Sequence, residues 1–264
     1  MKNNKKKCVL INYADSNFIK EQKKNSRSGG KVGKFRKVIS YGPKDIDEYF
    51  YSKNKSILSE KRGGGYWLWK PYFIQKQLRE LNIGEYLLYC DSGSYFIRDI
   101  ENLVKSLEAS GQDIMPFDTT FKEQDWTKRD AFLLLECDKP YFAESNQRGA
   151  TFMLFKKSKA STEFVDEWLS LAQDERLITD IDNTLGRNNY VGFKEHRHDQ
   201  SIYSLLTKKK KLQAFRNPGQ QGNDLKTQYP NSKYDQIIEH TRRMGSFVTQ
   251  CANVLKRTLR WLQK

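Results

Sequence analysis

Asp91 is the residue of this chain best placed to do chemistry. It ends an apolar run, Tyr86 to Cys90, that reads as a buried strand, and Ser92 and Gly93 follow it, small enough to let a ligand come close to the backbone. In open α/β sheets ligands gather in the crevice outside the carboxyl ends of the strands, and a carboxylate released there suits a metal-bound phosphate. The same three residues also spell an ordinary Asp-Ser-Gly turn, so the weight falls on what accompanies them.

Four further groups accompany Asp91. In Arg62-Gly-Gly-Gly-Tyr-Trp-Leu-Trp-Lys70, glycines centred on Gly64 precede a helix-like segment with a cation on either side, a composition suited to cradling a diphosphate. Its spacing is neither that of a Walker loop nor GxGxxG. Glu195-His-Arg-His-Asp-Gln-Ser201 holds two of the three histidines, and His198, Asp199 and Gln200 sit at an expected helix start, where they suit a metal or a sugar hydroxyl. A polar helix cap with exposed histidines is the plain alternative. The third histidine, His240, lies in His-Thr-Arg-Arg with Arg242, a loop-like spot suited to a late metal or phosphate contact and equally to a solvated basic patch. In Trp126 to Phe132 charges alternate with aromatics, and Asp130 is the expected general base, against the reading of an ordinary surface helix. No Ser-His-Asp order and no reactive Cys-His pair stands out, so nucleophilic hydrolysis has no support.

Positioning these groups takes strands and helices in alternation. Strands are expected at Cys8 to Ala14, Lys37 to Tyr41, Tyr86 to Cys90, Asp113 to Phe117 and Ala150 to Phe155. Helices are expected at Ile46 to Tyr51, Trp67 to Leu81, Asp99 to Ser110, Thr127 to Glu136 capped by Thr127, Ser161 to Ala172 capped by Ser161 or Thr162, and Asp199 to Thr207. Residues 20 to 37 are basic and rich in Gly and Ser, the composition of a mobile surface loop, and residues 208 to 236 also read as loop. The alternation predicts an α/β sandwich with a mostly parallel central sheet flanked by helices. A single domain over residues 1–207, followed by a basic extension over 208–264, is the expected organisation. Phe247, Val248, Cys251, Val254, Leu255, Leu259 and Leu262 form one helical stripe of that extension, a basic amphipathic helix suited either to a membrane interface or to docking on the protein's own core.

With 264 residues the chain can bury a core without disulfide or metal staples, and its four cysteines are scattered. No apolar stretch approaches the roughly 18 residues of a membrane span and none resembles a signal peptide, which predicts a cytoplasmic protein. The formal charge of +15 is concentrated at the ends: residues 1–37 hold 12 Lys and Arg against 2 Asp and Glu, residues 207–264 hold 13 against 3, and the middle holds the remaining 22 against 27. Basic ends around a mildly acidic body favour a peripheral contact with an anionic membrane face over a nucleic-acid groove.

The Gly-Tyr-Trp-Leu-Trp-Lys-Pro run, the Leu-Leu-Tyr-Cys-Asp-Ser-Gly strand end and the His-Arg-His-Asp-Gln-Ser segment together resemble bacterial GT-A-type glycosyltransferases of capsule and lipopolysaccharide biosynthesis, and more distantly the Asp-x-Asp galactosyl- and mannosyltransferases. The resemblance covers roughly residues 8 to 207. It implies a GT-A-like fold, a nucleotide-sugar donor, a glycan or lipid-linked glycan acceptor, and a manganese or magnesium ion on the donor diphosphate. By the same resemblance Asp91 belongs to the metal site, Arg62 to Lys70 lies near the donor, and Asp199 and Gln200 lie near sugar and acceptor. The chain departs from the pattern at Gly93, which stands where the second Asp would be; there Arg62, Lys70 and Arg242 are candidates to neutralise the leaving diphosphate. The expected function is glycosyl transfer to a surface glycan. The alternatives are a nucleic-acid-binding protein, favoured by pI, and a phosphotransferase using the same nucleotide pocket.

Overall fold

The computed structural model describes residues 7–240. Five strands, β1 (Cys8–Tyr13), β2 (Lys37–Tyr41), β3 (Tyr86–Cys90), β5 (Ile114–Lys122) and β6 (Asn146–Lys156), form one sheet in the order β2-β1-β3-β6-β5; β4 (Ser94–Phe96) and β7 (Ile238–His240) pair separately. β1 runs parallel to β2 and β3, while β6 is antiparallel to both β3 and β5, so four of the five strands point the same way. This is the mostly parallel sandwich expected from the alternation. β1 and β3 are buried along their whole length, which is why they read as unbroken apolar runs.

Helices of ten residues or more are α1 (Ile19–Ser28), α2 (Trp69–Glu80), α3 (Glu101–Ser110), α4 (Lys159–Ala172) and α5 (His198–Lys209). Strand alternation divides the core in two. Val9, Ile11, Leu87, Tyr89, Met153 and Phe155 face α2, α4 and α5, which contribute Phe73, Trp168 and Tyr203; Cys8, Leu10, Leu88, Cys90 and Leu154 face α3 and its Leu103, Val104 and Leu107. Each fully buried leucine here contributes about 1.5–3 kcal/mol. Phe215, Tyr234, Ile237 and Ile238 pack into the second of these clusters, and Phe117 bridges to Phe215, so residues beyond 207 are built into the body as far as His240.

The structure corrects three local expectations. Residues 20 to 37 are not a mobile loop: α1 occupies the first half of the segment and continues as a wide turn through Gly29–Gly33. Its buried stripe is polar and glycine-bearing, so hydrophobic periodicity could not show it. Asn25 is fully buried, donating to the carbonyls of Ser94 (2.9 Å) and Asp91 (3.3 Å) and accepting from Asn12 (2.8 Å). The cap of α4 is Ser158, whose Oγ accepts from the Ser161 amide at 3.1 Å. Thr127 is no cap either; its hydroxyl turns inward to donate to Glu123 (2.6 Å), and the helix after it spans only Arg129–Leu134. No helix among the described residues is long and apolar enough to cross a membrane. The expected C-terminal amphipathic helix lies outside the described residues.

Candidate active site

β3 delivers Asp91 to the carboxyl edge of the sheet, next to the end of β1. Ser92 fixes that junction by donating to the Tyr13 carbonyl at 2.6 Å, and the Asp91 amide donates to Thr151 of β6 at 2.9 Å. Tyr89, two residues earlier and therefore on the same side of the strand, donates its phenol to Asp91 Oδ1 at 2.5 Å. Burial and the Asp91 charge push that phenol well above its usual range, which keeps it a donor.

Lys70 enters from the first turn of α2, beside Pro71, which needs no amide partner there. Its side chain is 5% exposed, and its Nζ stands 2.9 Å from Asp199 Oδ2, 3.5 Å from Asp91 Oδ1 and 3.2 Å from the Ala150 carbonyl. Burial opposes the ammonium charge, but Asp199 and Asp91 together outweigh it and hold Lys70 above the ordinary lysine value. Asp199, in the first turn of α5, is pushed up to about 6 by burial, with Lys70 pulling the other way and Asp91 adding to the rise. Its Oδ2 is engaged by the Lys70 ammonium, which donates to it across 2.9 Å.

Gln200 continues the site. Its Oε1 accepts from the Ala150 amide (3.0 Å), and its Nε2 donates to Gln147 Oε1 (2.7 Å). Gln147 in turn donates to Glu123 (3.0 Å), a fully buried carboxylate paired with Lys208 at 2.6 Å. Gln200 borders a cavity of about 170 Å³ whose walls include Thr151, Phe152, Arg197, Asn217 and His240. His240 reaches it from β7, stacked on Phe152, with Nδ1 3.0 Å from Ser94 Oγ. Burial holds the imidazole below its usual value, and the nearby charge of Asp91 works against that.

Arg62 and His198 form a second group. Arg62 Nε donates to His198 Nε2 at 3.0 Å, and the guanidinium pairs with Asp180 and Glu195, each at 3.2 Å. His198 Nδ1 donates to the Ile178 carbonyl (2.8 Å), while His196 donates Nε2–H to Leu177 (2.7 Å) and accepts the Lys128 amide at Nδ1 (3.2 Å). Each imidazole therefore has one donating and one accepting nitrogen, the neutral form, and burial lowers both, His198 to about 4. These histidines hold the 177–198 segment in place. A wider cavity, about 580 Å³, opens beside Arg62 between Asp180 and Phe193.

The three glycines between Arg62 and Tyr66 serve a left-handed turn. From Gly63 to Trp67 every residue has positive φ, at 60°, 59°, 94°, 50° and 60°. The amides of Gly64, Gly65 and Tyr66 are spent inside the turn, on Lys61, Glu60 and Arg62. A Cβ on Gly65 would stand 2.7 Å from the Leu58 Cα, so close packing as well as handedness demands glycine there. The turn seats Tyr66 and Trp67 against His198, with ring centroids 5.0 and 5.2 Å away.

Lys70, Asp91, Ser92, Asp199 and Gln200 are thus gathered at one strand edge with His240 close by, and Arg62, Gly64 and His198 form the adjoining wall. Asp130 is not among them. Its fully buried carboxylate accepts from the Thr184 amide (2.6 Å) and hydroxyl (2.9 Å) and the Leu185 amide (3.2 Å), which ties down the 183–185 loop. Arg242 lies outside the described residues. Sequence reasoning passed over Tyr89, which period-two alternation from Asp91 would have found, and Gln147 with Glu123, for which no sequence signal exists.

No family model matches the chain, and no curated protein matches it in sequence. Among solved structures, it is similar to the bifunctional glycosyltransferase WbbM at 9% identity and a TM-score of 0.52, over 90% of this chain and 46% of that one. It is also similar to mouse xyloside xylosyltransferase 1 (10% identity, TM-score 0.48, 88% of this chain and 96% of that one) and to the galactosyltransferase LgtC (12%, 0.46, 88% and 86%). The likeness to WbbM extends over less than half of that protein's length and, together with the sheet order, gives the chain a GT-A-type glycosyltransferase fold.

Proposed function

We propose that this chain transfers a sugar from a nucleotide-sugar donor to a glycan acceptor, of the surface polysaccharide or lipopolysaccharide kind. The observation that carries the reading is the pair Asp91 and Asp199, held by one buried lysine at the carboxyl edge of a GT-A-type sheet. Two carboxylates offer more lone pairs than one ammonium can fill, which suits a ligand rich in hydroxyl donors such as a sugar. Asp199 orients the transferred sugar, Gln200 presents its amide to the sugar or acceptor in the neighbouring cavity, and Lys70 sets its ammonium between the two carboxylates.

A divalent metal fits the edge as a partial site. The Asp91 side chain is 35% exposed, and among the described residues His240 Nε2 makes no hydrogen bond while Nδ1 faces Ser94. Among the described residues no group of three or more His, Cys, Asp or Glu forms a full cage, so the remaining ligands are donor phosphates and water, as magnesium and manganese accept. Asp91 and His240 would hold such an ion, which when bound neutralises charge on the leaving diphosphate. With the Asp130 carboxylate filled, no side chain of the cluster is assigned as a general base.

The test is thermal unfolding with UDP, GDP and CDP sugars, each with and without manganese, in wild type and Asp91→Asn. One donor at about 100 times its Kd stabilises by about 2.7 kcal/mol, and at roughly 2–4 °C per kcal/mol for a chain of this size the midpoint rises by about 5–10 °C. The shift is expected to need metal and to vanish in the variant. A flat panel, or a shift indifferent to Asp91, removes the proposal.

A further inference from the structure

The face of α1 turned away from the body is a row of cations. Phe18, Gln22, Asn25 and Gly29 follow one another at spacings of four, three and four, and Asn25 and Gly29 of this row are buried against the sheet and β4. Lys20, Lys24, Arg27 and Lys31 repeat the same spacing two residues on, about 200° around the helix, and therefore stand on the opposite side. All four are exposed, Lys23 and Lys34 flank them, and none of the six forms an ion pair among the described residues. Only Lys24 has a ring partner, lying 3.4 Å over Tyr95. Glu21 is the one acidic residue from 19 to 37.

This arrangement works against the helix that carries it. Lys20 with Lys24, Lys23 with Arg27, and Arg27 with Lys31 are like-charge neighbours one turn apart, each unfavourable by a few tenths of a kcal/mol. The segment holds because Asn25 is tied to the backbone of Asp91 and Ser94, and because Gly29 lets the chain lie against Leu10, where a Cβ would come within 2.4 Å. The cations are therefore displayed on a rigid, convex element and await a negatively charged partner. Ile19 and Val32, 45% and 37% exposed, close the row at its two ends.

We infer that this face of α1 docks on an anionic phospholipid surface. Cations level with the headgroups and apolar side chains beside them match the boundary between headgroup and acyl chain. A nucleic-acid strand calls for a groove with open aromatic faces, whereas this surface is convex and its nearest ring, Tyr95, is covered by Lys24. The inference does not depend on the proposed sugar transfer, though it would set the Asp91 edge beside lipid, since Asn25 joins the two.

The full chain is sedimented with vesicles of phosphatidylglycerol and phosphatidylcholine, and with phosphatidylcholine alone, at 0.1 M salt. Wild type is expected to bind the anionic vesicles and leave the neutral ones. The variant Lys20→Gln/Lys23→Gln/Arg27→Gln/Lys31→Gln keeps the cations of residues 1–7 and 208–264 and is expected to lose affinity about 100-fold or more, at roughly fivefold per cation near the surface. Its urea midpoint should be unchanged or higher, because repulsion has been removed, which separates lost docking from lost folding. Lys53→Gln/Lys55→Gln/Lys139→Gln/Lys157→Gln removes the same net charge elsewhere and should bind within a fewfold of wild type. Three results would overturn the inference: no binding of wild type to anionic vesicles, equal losses in both variants, or a four-site defect confined to a single-stranded oligonucleotide probe while vesicle binding stays intact.

Discussion

Replacing Lys70 with methionine isolates the electrostatics of the site without any substrate. The variant keeps the bulk of the side chain but leaves Asp199 buried opposite Asp91 with no counter-charge. Removing one partner of a buried pair costs about 3–5 kcal/mol, and the pH dependence reveals how that cost is met. In wild type, Asp199 has its carboxyl at about 6 and is ionised above that pH. Without Lys70, burial and Asp91 both raise it further, so the folded variant holds a proton that the unfolded chain, with a carboxyl near 3.9, has released. A group that binds protons more tightly when folded makes stability fall as pH rises, by about 1.4 kcal/mol per unit, until the folded pKa is passed. From pH 6 to pH 8 the gap between wild type and Lys70→Met should therefore widen by up to about 3 kcal/mol, measured by urea unfolding at each pH. Adding Asp199→Asn removes the titrating group and should make the gap nearly independent of pH. A gap that is the same at pH 6 and pH 8, or a double variant with the pH slope of the single one, would refute the reasoning.

Two further outcomes follow from the geometry. Gly65→Ala should destabilise by roughly 2–4 kcal/mol, since φ is +94° and the new Cβ meets the backbone of Leu58, whereas Gly30→Ala, with open space around its Cβ position, should stay within about 0.5 kcal/mol of wild type in the same urea titration. His198, lowered from 6.5 to about 4, contributes stability that is present above pH 6.5 and is lost as pH falls through 4; His198→Asn, which keeps a residue tolerant of positive φ, should lose about 3 kcal/mol less than wild type between pH 7 and pH 4, and equal acid sensitivity in circular dichroism melts would show that the imidazole is not buried in its neutral form.

Much of the fold was legible because its main signals are local. β1, β3, α3 and α4 announce themselves by apolar runs or by helical spacing, and Asp91 by the abrupt end of such a run. What the sequence hid are elements whose buried side is polar. α1 faces the core with Asn25, and the turn after it with Gly29 and Gly33, none of which gives a hydrophobic signal to a periodicity search, and the Glu123, Gln147 and Gln200 chain is held by hydrogen bonds between residues up to 85 apart. Gly63 to Gly65 carried a true signal with two readings: glycine permits both an open phosphate loop and a left-handed turn, and only the packing of Leu58 and Trp67 distinguishes them. The pairing of Lys70 with both carboxylates was equally hidden, although all three residues stood out by type and position.

The reversed strand β6 brings Ala150 and Thr151 beside Asp91, so the site draws on residues near 70, 91, 150, 200 and 240, each from a different part of the chain. Lys70 and Asp91 come from consecutive elements, whereas Asp199 joins them from the far end of the chain. Bringing such distant segments together costs chain entropy that the packed sheet has to offset. An intact Lys70, Asp91 and Asp199 cluster is therefore a readout of complete assembly, since it exists only where all of these segments have met.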